Sequence, residues 1–112
     1  MHDPTPDGIA VILARIQSHT LAGDFRLTDH AVMEMGAEAI RLAEVIEAIS
    51  HARVIEDYPD HRRGPCCLLG GATSTGRSLH VVCTTSEARL VFITVYEPVP
   101  PKFPTPWARR QK

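Results

Sequence analysis

Apolar and polar residues repeat with two different periods along this chain, and the period changes after about the first fifty residues. Ile9, Ile12, Leu13 and Ile16 lie at i, i+3, i+4 and i+7, the spacing of one helical face. Asp7 is placed to cap this first helix and Gly23 to end it. A second helix is expected from Thr28, whose hydroxyl suits an N-cap, with Asp29 at the positive end of the dipole. It carries Ala31, Val32, Met35 and Ala39 inward, and Gly36 weakens its middle. Leu42, Val45, Ile46 and Ile49 then mark a third helix, or a continuation after a kink.

The second half reads differently. Arg53–Tyr58, Cys66–Ala72, Ser78–Thr85 and Leu90–Glu97 are short, rich in β-branched residues and bounded by turn signals. Thr75-Gly76 and Glu87-Ala88 suit hairpin loops. Helices first and strands afterwards predict an α+β fold, with N-terminal helices packed on one face of a four-stranded antiparallel sheet. Residues 1–6 are expected to be a polar leader and 7–97 a single domain. Residues 98–112, with five of the nine prolines, are expected to be a surface tail with a basic end.

Composition narrows the class. A chain of 112 residues with 44% hydrophobic and 22% charged residues fits one globular domain. No apolar run approaches the roughly 18 residues of a membrane span, so no membrane partner is expected. The start, MHDPTPDG, lacks a basic stretch followed by an apolar one, which argues against export. Cys66, Cys67 and Cys83 make an odd count, so free thiols and a cytoplasmic location are expected. No C-x-x-C pair exists and Gly70-Gly71 lacks the Lys-Ser/Thr of a phosphate loop, so neither a metal nor a cofactor is expected. Net charge is −1, unevenly spread. Residues 1–50 hold three basic against eight acidic side chains, and residues 51–112 hold nine against five. An anion such as RNA would meet the second half.

Larger motifs add a resemblance. The stretch VIEDYPDHRRGPCCLLGGATSTGRSLHVVC, followed by LVFITVYEP, resembles the core of the domain of unknown function 4258 family. Thr28-Asp29-His30-Ala31 is similar to the start of that family's helix. The tail, with Trp107, Arg109 and Arg110, resembles its proline-rich basic end. The likeness spans about residues 26–110. It implies a RelE-like (BECR-type) fold and the toxin half of a bacterial toxin–antitoxin pair, with RNA and an antitoxin protein as partners. Three features depart from the pattern. Glu34 and Glu38 stand where many members carry arginine, Cys66 replaces a serine and Ser78 a proline.

Three residues then become candidates for metal-independent RNA cleavage. His80 sits mid-strand, alternating with Leu79 and Val81, and imidazole titrates near neutrality. Tyr96 lies on the strand expected to pair with it, on a face shared with Leu90, Phe92 and Thr94. His30 occupies the first turn of a helix, where orphan amides favour an anion. In this reading His80 and His30 are the acid and base, and Tyr96 positions the phosphate. Arg62, Arg77, Arg109 and Arg110 bind RNA. The rival is a non-catalytic binding module or inactive toxin homologue acting through protein–protein contacts, favoured by the near-zero net charge and by Glu34 and Glu38.

Overall fold

The computed structural model describes residues 6–62, 64–86 and 89–99. Three helices precede most of a five-stranded mixed sheet: α1 (Pro6–Leu21), β1 (Arg26–Leu27), α2 (Asp29–Ala37), α3 (Leu42–Ser50), β2 (Arg53–Tyr58), β3 (Cys66–Ala72), β4 (Ser78–Thr84) and β5 (Val91–Tyr96). The sheet order is β1-β5-β4-β3-β2. The four strands read from sequence form an antiparallel meander, and β1 adds a fifth strand, parallel to β5, through Arg26↔Val91 and Leu27↔Phe92. The expected four-stranded, wholly antiparallel sheet is corrected accordingly. A two-residue strand is too short to show a period of two, so nothing in the hydrophobic pattern announced it.

The helix ends follow their local chemistry. Gly23, at φ +74°, ends α1 in a Schellman turn, with Asp24 N–H on the His19 carbonyl at 2.9 Å and Gly23 N–H on that of Thr20 at 3.1 Å. Thr28 caps α2 by accepting the Ala31 N–H at 3.0 Å and donates its hydroxyl to the Ile93 carbonyl at 2.7 Å, tying the helix to β5. Ala39, at φ +54°, separates α2 from α3, so the two are distinct helices. The Ser74–Gly76 loop closes the β3–β4 hairpin with Gly76 at φ +86°, and Thr73 N–H bonds the Arg77 carbonyl at 2.8 Å. Residues 1–5, the second expected hairpin loop at Glu87-Ala88 and the tail from residue 100 lie outside the described residues, as does the side chain of Asp7.

Residues directly opposite in a ladder share a face. Cys67, Leu69 and Gly71 of β3 pair with Cys83, Val81 and Leu79 of β4, and Val81 pairs with Val95 of β5. Apart from Gly71, these residues, with Phe92, Val45, Ala48, Ile49, Ala31, Met35 and Ile16, form the core between sheet and helices. Phe25 stacks on Phe92 with ring centroids 4.7 Å apart. The opposite face carries Cys66, Leu68, His80, Val82, Thr94 and Tyr96. Phe92 was expected beside Thr94 and Tyr96. A register shift between Val82↔Thr94 and Cys83↔Phe92 turns it to the helix side instead.

All three cysteines are buried free thiols, with Cys67 Sγ and Cys83 Sγ 4.0 Å apart across the ladder. The hydrogen bond to Cys67 and burial push the Cys83 thiol well up, and burial pushes that of Cys66 up to about 11. Thiols held protonated and out of solvent react slowly. Alkylation without reductant should therefore be slow in the folded protein and label all three cysteines in denaturant. Fewer than three labels on the unfolded chain would contradict this.

Candidate functional site

Strand pairing brings two of the sequence candidates together. His80 of β4 stands opposite Tyr96 of β5. His80 Nδ1 and Tyr96 Oη are hydrogen-bonded at 3.1 Å, and the rings meet edge to face with centroids 5.2 Å apart. His80 is fully buried while Tyr96 is half-buried, so the phenol is the more accessible member of the pair. Which group donates depends on the imidazole tautomer. Such a bond lets a proton pass between phenol and imidazole without either side chain moving.

β2 contributes to the same face, and here sequence reading missed residues. Glu56 pairs with Leu68 and Tyr58 with Cys66, which places both on the His80 side. Tyr58 Oη donates to Glu56 Oε2 at 2.5 Å. Burial raises the Tyr58 phenol above its ordinary range, and the bond to Glu56 adds to this. A bulge hid these residues. Val54 pairs with core-facing Leu69 while Glu56 pairs with Leu68, so Ile55 is the extra residue and simple alternation fails across it. The usable signal was the Glu-x-Tyr spacing after the bulge, with both side chains on one face. Arg53 is the third β2 residue on this side, opposite Gly70, which pairs with His80.

The other candidates sit elsewhere. His30 is largely exposed on the first turn of α2, with Nε2 3.3 Å from Glu34 Oε1. That same oxygen accepts the Val95 N–H at 2.9 Å, so His30 is tied to β5 through Glu34. Arg62 is exposed on the turn between β2 and β3. Arg109 and Arg110 lie outside the described residues. Among the described residues no group of three His, Cys, Asp or Glu side chains could hold a metal ion, and no helix is long and apolar enough to cross a membrane.

Arg77, expected to meet RNA, has its guanidinium spent inside the fold. It donates to Glu97 at 2.8 Å, Glu44 at 3.3 Å and the carbonyls of Ala39 and Glu38 at 3.0 and 2.6 Å. One side chain thus joins the β3–β4 hairpin to the end of α2, the start of α3 and the end of β5. Glu44 is held below the usual carboxylate range first by the Arg41 N–H, with Arg77 adding to the effect and burial opposing it. Arg77→Ala leaves these acceptors without their donor and should cost about 2 kcal/mol of stability, given net values of roughly 1.5–3 kcal/mol for charged hydrogen bonds. Arg77→Lys should recover only part of it, because an ammonium lacks the planar fork. Urea unfolding measures both. An alanine variant as stable as the parent would contradict the clamp.

Comparison with known proteins gives one match. Residues 27–97 fit the family model described as Domain of unknown function (DUF4258), a span of well over half the chain. No curated protein and no solved structure matches.

Proposed function

The chain belongs to the DUF4258 family of domains of unknown function, and from that premise we propose that it is a RelE-like, toxin-type protein that cleaves RNA without a metal ion. The observation that carries this reading is the hydrogen-bonded His80–Tyr96 pair, an imidazole and a phenol 3.1 Å apart on the sheet face opposite the core. Single-stranded RNA supplies its own nucleophile, so a pair of proton-transfer groups suffices.

In the proposed reaction the ribose 2′-oxygen attacks the adjacent phosphorus, forming a 2′,3′-cyclic phosphate as the bond to the 5′-oxygen breaks. Tyr96 gives its phenolic proton to the leaving 5′-oxygen and regains one from His80 Nδ1. Water takes the proton of the 2′-hydroxyl in place of His30, which stands on α2 apart from the pair. Arg62 meets the phosphate charge, since that of Arg77 is balanced by Glu44 and Glu97. Arg109 and Arg110 add phosphate contacts from the tail. An antitoxin protein is the expected partner, holding this activity in check in the cytoplasm.

A second reading, a binding module without catalysis, draws on the full burial of His80 and the internal use of Arg77. Incubating purified protein with end-labelled RNA separates the two, alongside induced expression in a bacterial host. Cleavage together with growth arrest supports the toxin reading. Binding with intact RNA, or no RNA binding at all, supports the module.

A further inference from the structure

The outer edge of β5 is filled by a helix. β1 pairs with β5 at Val91 and Phe92, and among the described residues no strand lies beside the ladder positions beyond on that side. Side chains of α2 and its cap take those positions. Thr28 Oγ1 donates to the Ile93 carbonyl at 2.7 Å, Val95 N–H donates to Glu34 Oε1 at 2.9 Å, and Glu97 N–H donates to Glu38 Oε1 at 3.0 Å.

The spacing explains the fit. Residues four apart on a helix are separated by about 6 Å along its axis. Outward-facing groups two residues apart on a strand are separated by about 6.7 Å. Glu34 and Glu38, four apart, therefore match Val95 and Glu97, two apart, when helix and strand run side by side. The two carboxylates satisfy both amides.

An edge of this composition is a hazard when open. Val-Phe-Ile-Thr-Val-Tyr is β-branched or aromatic throughout and carries no charge and no proline. Antiparallel pairing of one such edge with its own copy is self-complementary. We propose that Glu34 and Glu38 make α2 a stand-in strand, occupying the β5 ladder positions that β5 of a second copy would otherwise pair with. This assigns a role to two glutamates that the RNA chemistry does not use, and it stands independently of that chemistry.

The test compares full-length Glu34→Ala/Glu38→Ala with Glu34→Gln/Glu38→Gln, whose amide oxygens still accept a hydrogen bond. Light scattering across a concentration series should find the wild type and the glutamine variant unchanged in mass, and the alanine variant doubling in mass or more as concentration rises. A folded alanine variant with wild-type mass at every concentration overturns the proposal, as does a wild type already paired through β5. If the double alanine variant does not fold, hydrogen exchange on the single variants decides. Glu34→Ala should speed exchange of the Val95 amide, and Glu38→Ala that of the Glu97 amide, each by about tenfold, the equivalent of roughly 1.4 kcal/mol. Unchanged exchange at both amides overturns the proposal.

Discussion

Gly71→Ala is expected to lower stability by about 3 kcal/mol or more, the upper range for forcing extra atoms into a packed interior. A Cβ on Gly71 would overlap the carbonyl oxygen of Ala48 and lie 2.7 Å from its carbonyl carbon. Both are backbone atoms of α3, so no side-chain rotation relieves the overlap, and the helix must lift from β3. The move would reopen contacts made by Val45, Ala48 and Ile49, all fully buried against the sheet. For a chain of this size the loss corresponds to a fall in Tm of roughly 10 °C or more. Thermal unfolding followed by circular dichroism checks it. A Tm within about 3 °C of the parent would mean that α3 does not need this close approach.

The second large effect is chemical. In the proposed reaction, His80→Ala is expected to slow RNA cleavage by roughly 100-fold or more, the usual loss when a general acid or base is removed. Tyr96→Phe should do the same while keeping the ring, its packing and the strand pairing. It is the cleaner variant, because His80 is fully buried and its truncation also leaves a cavity. Stability measured alongside separates the two causes: a Tyr96→Phe protein that melts with the parent yet cleaves slowly has lost chemistry, not fold. Tyr96→Phe cleaving at the parental rate would remove the phenol from the mechanism.

Much of the architecture was legible because long, strongly periodic segments announce themselves. Ile9 to Ile16 and Leu42 to Ile49 carry helical spacing, and α1 and α3 appear there. Thr28 was identified as a cap from residue type alone, and Gly23 as a helix terminator. The pairing of His80 with Tyr96 followed from expecting β4 and β5 to be neighbours. What escaped depends on contacts that no local pattern encodes. β1 is two residues long and exists because Phe25 and Leu27 dock on the core beside β5. The bulges at Ile55 and near Ile93 reverse which residues face the core, so Glu56 and Tyr58 were passed over and Phe92 was assigned the wrong face. Arg77 looked like a surface cation in a turn. Its partners Glu38, Ala39, Glu44 and Glu97 are 20 or more residues away in sequence, and only the fold gathers them.

The most direct test of the central claim is the chemistry of the RNA ends. Purified wild-type protein is incubated with a 5′-labelled single-stranded RNA in the presence of a chelator, and the ends of the labelled fragments are identified. The His80–Tyr96 account predicts fragments ending in a 2′,3′-cyclic phosphate, formed at the same rate with and without the chelator. RNA left intact, or fragments ending in a 3′-hydroxyl, would contradict it.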